Sequence, residues 1–327
     1  MIACRRALIA AVACLLTALP AWAQPAPNCS KAKTPAERAI CTSPELLVAD
    51  AAMGKAYAAL SKGLPPEQQT GLRADQREWV AARDGGCLDQ KDDALVKCLL
   101  AETEARRHFL LGEGDNGPSG APPLVPTFFM EAKKGAYEIT LAYPQIEAAP
   151  NFNAAVHDVI FGKDALAQYR QDKPNAFNGS SNFYQVRYEA TYLAPHLASV
   201  TLQFADYSGG AHPNNWRATV LWNPTADKRV TLANILADPG KAVPAVSGLC
   251  KAKLGEQAKA GDWDFLDNPD FDGVVKEAAK WAVDKDGVTI LFDPYAVTPY
   301  VVGPLECRLT YAELADWLKP GGLLPQR

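Results

Sequence analysis

Residues 207–217 have the sequence YSGGAHPNNWR, which combines a histidine with two asparagines and two aromatic residues. Gly209 and Gly210 tolerate positive φ angles, and Pro213 fixes its own φ while it favours an extended conformation at His212. Strand-like sequences precede and follow this stretch, so we predict a preorganised loop between two strands. Aromatic and amide side chains held in this way suit protein recognition. The side chains that the loop would present are Tyr207, His212, Asn214, Asn215 and Trp216.

The same stretch also has a purely structural interpretation. Tyr207 and Trp216 could pack as a cross-strand aromatic pair, with His212 hydrogen-bonded to a nearby carbonyl. The sequence gives little support to a catalytic His212, because the four histidines are at least 16 residues apart and no H-E-x-x-H or G-x-S-x-G motif occurs. We therefore predict no catalytic residue, no cofactor and no bound metal ion.

One acidic stretch, residues 262–273, is a candidate cation site. Asn268, Asp270, Asp272 and Gly273 match the start of a calcium-binding loop. The last position of that loop is Ala279, where a bidentate glutamate is required. We therefore favour a solvated acidic loop over a calcium site.

The N-terminus has the pattern of a secretory signal peptide. Arg5 and Arg6 precede an apolar run over residues 7–19, and small residues at Ala21 and Ala23 suit a cleavage site after Ala23. The run is too short to span a membrane. We predict a periplasmic or secreted protein that begins near residue 24 and has no membrane span.

Export determines how the cysteines are interpreted, because oxidising compartments favour disulfides. Six cysteines remain after cleavage of the signal peptide. If each domain keeps its own cysteines and near neighbours pair, the bonds join Cys29 to Cys41, Cys87 to Cys98, and Cys250 to Cys307. Within the first domain, bonds from Cys29 or Cys41 to Cys87 or Cys98 remain an alternative.

The chain divides into two domains at a segment rich in glycine and proline. Residues 112–126, GEGDNGPSGAPPLVP, contain eight glycines and prolines and predict a linker. Before it, residues 24–111 predict a three-helix bundle stapled by disulfides. Ser43 and Pro44 are expected to start the first helix, a second begins near Glu67, and the third spans residues 92–111.

The second domain, residues 127–327, predicts a mainly antiparallel sheet with packed helices, so the fold class is α+β. Short stretches rich in β-branched and aromatic residues include GAYEITLAYP, NFYQVRYEATYLAP, LASVTLQFADYS, WRATVLWN and GVTILFDPY. Helical patterns cover residues 151–171 and 240–260. A hairpin turn is predicted at Asp286 and Gly287, and a capping box pairs Thr310 with Glu313.

The charge of the mature chain limits its partners. Without Arg5 and Arg6, 31 basic and 37 acidic residues remain, a net charge of −6. Nucleic acid and anionic lipid are therefore unsuitable partners, whereas a basic protein would be attracted. The excess of acidic residues belongs to the second domain, since residues 24–112 carry 12 of each sign.

The first domain resembles the LprI-like family, named for a mycobacterial lysozyme-inhibitor lipoprotein. The resemblance rests on CSKAKTPAERAICTSPELLVADAAMGKAYAAL, LRADQREWVAARDGGC and CLLAETEARRHFL, which together cover residues 29–110. It implies an exported, disulfide-bonded helical module and, from the founding member, lysozyme inhibition.

The second domain resembles the C-terminal domain of the RsiV family of lysozyme-sensing anti-sigma factors, which also occurs in PdaC deacetylases outside their catalytic domain. The matching stretches are YEITLAYPQI, YSGGAHPNNW and ILFDPYAVTPYVVGPLECRL. The resemblance implies direct binding of lysozyme. It implies neither anti-sigma signalling nor deacetylation, because the sigma-binding and catalytic regions have no counterpart in this sequence.

Two resemblances and an acidic charge together predict a lysozyme-binding protein that inhibits by occluding the enzyme. The predicted contact regions are residues 207–216 and 292–300. The contact residues are Tyr207, Gly209, Gly210, His212, Asn214, Trp216, Phe292, Tyr295 and Tyr300. An alternative is an envelope factor that binds peptidoglycan, or one that processes it through His212 and nearby aspartates such as Asp206.

Overall fold

The computed structural model describes residues 29–162, 165–170 and 179–325, and this part of the chain has the predicted α+β fold. The predicted signal peptide and its cleavage site near Ala23 lie outside the described residues. Over the residues that are described, every helix is too short or too polar to cross a bilayer.

Four helices form the N-terminal part of the described chain. They are α1 (Pro35–Thr42), α2 (Pro44–Gly63), α3 (Pro66–Gly86) and α4 (Asp92–Leu111). The last three are the predicted ones, and α2 begins as expected, with the Ser43 hydroxyl accepting a hydrogen bond from the Leu46 amide at 3.3 Å. The short helix α1 was not predicted. It starts with a capping box formed by Thr34 and Glu37.

The rest of the chain contains nine strands among the described residues. Six of them are β1 (Val125–Lys133), β2 (Tyr137–Gln145), β3 (Asn182–Ala194), β4 (Leu197–Tyr207), β5 (Asn214–Asn223) and β6 (Lys228–Arg229). They form one sheet in sequential order, and only the β2–β3 pair is parallel. A smaller antiparallel sheet contains β7 (Trp281–Val283), β8 (Gly287–Phe292) and β9 (Leu305–Thr310).

Five helices accompany the sheets: α5 (Pro150–Phe161), α6 (Leu232–Ile235), α7 (Pro239–Gly261), α8 (Phe271–Val275) and α9 (Tyr311–Leu314). Helix α7 matches its prediction closely. Helix α5 is shorter than the predicted 151–171, because Gly162 adopts a φ of 41° and residues 165–169 form turns. The predicted hairpin and the Thr310–Glu313 capping box are both present.

The two faces of the large sheet have opposite character, because side chains alternate along each strand. On the core face, Leu202 and Phe204 are buried in a cluster that includes Phe152 of α5. On the polar face of β4, Gln203 is exposed, and Thr201 is buried but bonded to the Thr219 hydroxyl at 3.0 Å. We call these two sides the core face and the polar face.

Two structural units cover the ends of the polar face. At one end, Phe128 of β1 and Ala142 of β2 pack with helical residues such as Leu72. At the other end, the smaller sheet is joined to β4 by the Val283 amide, which donates to the Ser199 hydroxyl at 2.9 Å. Between these units the polar face forms the floor of an open groove.

Three disulfides are present among the described residues, and they confirm the predicted pairing. They join Cys29 to Cys41, Cys87 to Cys98, and Cys250 to Cys307. The first two stay within the helical part, and the third links α7 to β9. Such bonds are typical of proteins that fold outside the cytoplasm.

Candidate functional site

The two predicted contact regions meet at the turn between β4 and β5. The His212 ring stacks on the Tyr300 ring with centroids 3.6 Å apart and planes 18° apart. The Tyr295 ring lies 5.5 Å from that of Tyr300 and 6.3 Å from that of His212. We call His212, Tyr295 and Tyr300 the aromatic tip.

Hydrogen bonds fix the loop that carries His212. The Tyr300 hydroxyl donates to the Pro213 carbonyl at 2.6 Å, across 87 residues of sequence. The Nδ1 atom of His212 lies 2.9 Å from the same carbonyl, and the Tyr207 hydroxyl donates to the Gly210 carbonyl at 2.9 Å. Gly210 has a φ of 119°, a conformation that residues with a Cβ rarely adopt. The loop is therefore preorganised, as the sequence predicts.

The segment that carries Tyr295 and Tyr300 is anchored to β5 through charged side chains. The Asp293 carboxylate accepts hydrogen bonds from the Arg217 amide at 3.0 Å and from the Lys280 ammonium at 2.5 Å. The Arg217 guanidinium also donates to the Leu305 carbonyl at 3.0 Å. Arg217 thereby ties the large sheet to the small one and positions the aromatic tip.

Tyr295 in the aromatic tip and Val301 beside it have side chains exposed to solvent, and the fold gains no stability from this exposure. Tyr295 is 59% exposed and has a φ of 68°, which is unfavourable for a bulky residue. Val301, in the turn that follows Tyr300, is 90% exposed. Backbone strain at an exposed aromatic residue suggests a function, because folding alone gains nothing from it.

The other predicted contact residues lie beneath or beside the tip. Trp216 lies within β5 and stacks on Phe204 at 4.9 Å, whereas Tyr207 lies 6.2 Å from Phe183. The alternative of a Tyr207–Trp216 cross-strand pair is therefore wrong, since the strand register pairs Trp216 with Phe204. Phe292 is completely buried and packs against Phe271 in the core, so its prediction as a contact residue is wrong.

The alternative catalytic pairing of His212 with Asp206 finds no support in the contacts of either residue. Asp206 is buried, where it accepts hydrogen bonds from the Tyr169 hydroxyl and from the Asn214 side-chain nitrogen Nδ2, the latter at 2.9 Å. His212 instead contacts Pro213, Tyr295 and Tyr300.

A second feature, which the sequence does not reveal, is the groove on the polar face. It consists of two adjoining cavities of about 390 and 380 Å³. The first lies beside the small sheet and the second beside α3 and α4. The cavities share Asp115, Glu189 and Gln203, so these three residues mark the centre of the groove.

Asp115 reaches this centre because the predicted linker is docked on the edge of β3. Strand β2 pairs with β3 only as far as Val186, and beyond that point the Asp115 amide donates to the Ala190 carbonyl at 2.8 Å. The Asn116 side chain bonds both the amide and the carbonyl of Leu193, at 2.8 and 2.9 Å. Residues 114–117 thus lie beside the second half of β3, in the position that a neighbouring strand would otherwise occupy.

The two central carboxyl groups interact with each other. Partial loss of water around the Glu189 carboxyl, whose side chain stays partly exposed, is the main cause of its raised pKa. With the nearby charge of Asp115, it brings that pKa to about 7. The pKa of Asp115 is also raised, again mainly by loss of water. The nearby Asp115 carboxyl favours the protonated form of Glu189, so the pair holds a proton close to neutral pH.

Sequence reasoning missed this pair for a simple reason. Glu189 shows only a weak signal, since Arg187, Glu189 and Thr191 alternate with apolar residues and indicate a polar face. Asp115 lies in a glycine-rich segment without periodicity, and nothing in the sequence indicates that this segment docks on β3.

No group of three or more histidine, cysteine or acidic side chains within the described ranges is arranged to hold a metal ion. In the acidic stretch 262–273, the Asp270 carboxylate accepts a hydrogen bond from the Gly273 amide at 2.7 Å and caps α8. That aspartate is therefore engaged in helix capping.

Comparison with protein families and solved structures gives matches along most of the chain. Residues 28–110 match the family described as lysozyme inhibitor LprI, residues 130–215 match deacetylase PdaC, and residues 233–312 match DUF3298, a protein family of unknown function. No protein with a curated description matches the chain.

Two similar solved structures are DUF3298 family proteins. The one from Pseudomonas aeruginosa PAO1 is 15% identical with a TM-score of 0.47, and the match covers 62% of this chain and 96% of that chain. The one from Bacteroides fragilis is 16% identical with a TM-score of 0.46, and the match covers 60% and 92%. The family matches thus make the N-terminal part of this chain similar to LprI and its C-terminal part similar to PdaC and DUF3298.

Proposed function

We propose that this protein binds lysozyme and inhibits it by occlusion, without catalysing a reaction of its own. The observation that carries the proposal is the aromatic tip, in which two distant segments converge on one exposed, hydrogen-bonded surface. The match of residues 28–110 to the lysozyme inhibitor LprI supports the same partner.

The tip suits insertion into the substrate cleft of an enzyme. Its loop loses little conformational entropy on binding, because Tyr300 and Tyr207 already hold it by hydrogen bonds. Tyr295 and Val301 offer exposed apolar surface for the contact. A net charge of −6 after cleavage of the signal peptide would speed association with a basic lysozyme.

The proposal includes the place where the protein acts. A signal peptide of residues 1–23 would direct it to the periplasm or the exterior, in agreement with three disulfides among the described residues. The mature chain would then comprise a helical domain (24–111), a docked linker (112–126) and an α+β domain (127–327). In that compartment the protein would meet lysozyme that acts on the cell wall.

A test compares the mature protein with a Tyr300→Ala variant. We expect lysozyme binding to weaken by about 2 kcal/mol, roughly 30-fold in Kd, because the variant loses both the stacking on His212 and the bond to Pro213. Tyr300→Phe keeps the stacking and should weaken binding by about 1 kcal/mol. Binding is measured by calorimetry with hen lysozyme, and inhibition by lysis of cell walls.

A matched control is Tyr137→Ala, which removes a tyrosine of β2 that bonds Glu131 outside the tip. This variant should bind lysozyme like the unmodified protein. The proposal fails if the unmodified protein neither forms a complex with lysozyme at micromolar concentration nor slows lysis. Sedimentation with purified sacculi and analysis of released muropeptides would then distinguish peptidoglycan binding from processing.

A further inference from the structure

Among the described residues, the two carboxyl groups at the centre of the groove have no lysine or arginine partner. All five basic residues that line the two cavities already have acidic partners. These ion pairs are Arg106–Asp75, Arg187–Glu78, Arg217–Glu306, Lys285–Asp286 and Arg308–Asp284. Over the described part of the chain, Asp115 and Glu189 have no basic side chain within ion-pair distance.

A buried hydroxyl in the cavity beside α3 and α4 also lacks a partner among the described residues. Tyr188 is only 7% exposed and lines the cavity beside α3 and α4. Within the described ranges its hydroxyl oxygen has no hydrogen-bond partner, although the charges of Asp75 and Arg106, which line the same cavity, act on it. A buried polar atom left unpaired is costly, so a donor that enters the cavity would gain a contact there.

The chemistry of the groove favours an organic cation over a metal ion. Calcium takes six to eight oxygen ligands, whereas only two carboxyl groups meet at this point. A guanidinium presents several N–H donors in a plane and can bond two carboxylates at once, and an ammonium offers three donors. The two cavities also leave room for a long side chain.

We propose that Asp115 and Glu189 form a receptor for an arginine or lysine side chain of a basic protein partner. This inference rests on the proposed function, since it assigns lysozyme a second contact beside the aromatic tip. Arg217 connects the two sites, because it lines the groove and also bonds Asp293 next to the tip. One partner could therefore occupy both.

Binding of a cation at this pair should release a proton. Free Glu189 has a pKa of about 7, raised first by exclusion of water and then by nearby acidic groups. The other charged groups that act on the pair are Glu102 and His108 of α4, Asp284 of the β7–β8 turn and Glu306 of β9. A cation between the carboxyl groups lowers both pKa values, so affinity should increase with pH until Glu189 is ionised.

The experiment measures binding of a hexa-arginine peptide and of hen lysozyme by calorimetry at pH 6.0 and pH 8.0, at equal ionic strength. With a pKa near 7, the loss of one proton on binding predicts about tenfold tighter binding of hexa-arginine at pH 8.0 than at pH 6.0. Glu189→Gln and Asp115→Asn should each bind more weakly at pH 8.0, and Glu189→Gln should remove most of the pH dependence. Glu256→Gln, at an exposed position of α7, is the charge-matched control and should behave like the unmodified protein.

The outcomes separate this inference from the proposed function. Equal affinity and equal pH dependence of hexa-arginine binding in the unmodified protein and Glu189→Gln, or no binding to either, overturns the receptor. If lysozyme binds through the tip but is insensitive to both groove substitutions, the proposed function stands and the receptor is wrong. If hexa-arginine shows the expected pattern but lysozyme does not bind, the receptor stands and the proposed partner is wrong.

Discussion

The core face and the polar face of the large sheet consist of alternate residues of the same strands, yet they serve different purposes. On β4, Phe204 is buried against Trp216, while its neighbour Gln203 lies at the centre of the groove. The core face is filled by side chains from the sheet and α5. The described residues cover the polar face at its two ends and leave its middle accessible.

This difference shows how one sheet can provide both stability and a binding surface. Burial of the core face stabilises the strands, so the polar face can keep charged groups with perturbed pKa values. The aromatic tip belongs to the same side, since Asn215 and Arg217 of the polar face contact Tyr300 and Asp293. We expect substitutions on the two sides to affect different properties.

The largest effect should come from Phe204→Ala. Its removal leaves a cavity on the core face, and we expect a loss of about 3–5 kcal/mol in the free energy of unfolding. Gln203→Ala, one residue away, should change that free energy by less than about 0.5 kcal/mol, because the side chain is exposed. Denaturant unfolding of both variants measures this contrast. Similar losses for the two variants would show that both faces contribute equally to stability.

An intermediate effect is expected at Tyr295, whose φ is 68°. Tyr295→Gly relieves the backbone strain, so it should be more stable than Tyr295→Ala by about 1 kcal/mol. Both variants should bind lysozyme more weakly, because each loses the exposed ring. Thermal unfolding and calorimetry are the measurements. If Tyr295→Ala were as stable as Tyr295→Gly, the positive φ would carry no strain.

The smallest effect concerns the pH dependence of stability. Because the pKa of Glu189 is raised from 4.5 to about 7, the folded protein binds more protons than the unfolded chain between these pH values. This group therefore makes the protein less stable as the pH rises from 4.5 to 7. Glu189→Gln should remove that contribution and be more stable than the unmodified protein at pH 8, by less than about 1 kcal/mol, since solvent screens the exposed side chain.

The measurement for this prediction is the difference in melting temperature between the two proteins at pH 4.5 and pH 8. Other titrating groups contribute equally to the melting temperatures of both proteins, so their contributions cancel in the difference. One such group is Glu313, whose pKa is lowered to about 2 by Lys253 and the Thr310 amide. A difference that is the same at both pH values would mean that Glu189 titrates normally.

Local sequence signals predicted much of the fold. Ser43 and Pro44 marked the start of α2, and alternating apolar residues located β3, β4 and β5. The short strand β6 was missed, because two residues do not define a period. The tip was anticipated in part, since the loop glycines and the residues of both contact regions were recognised, but their contact was not.

By itself, the sequence determined the α+β class and the turn between β4 and β5, because capping and alternation act over short distances. It also favoured the observed cysteine pairs through loop closure, but the structure decided between the alternatives in the first domain. Tertiary structure alone decided that Tyr300 stacks on His212 and that Asp115 meets Glu189. These contacts depend on how the small sheet and the linker pack against the large sheet. That packing arises from the combined burial of many side chains, which no local pattern encodes.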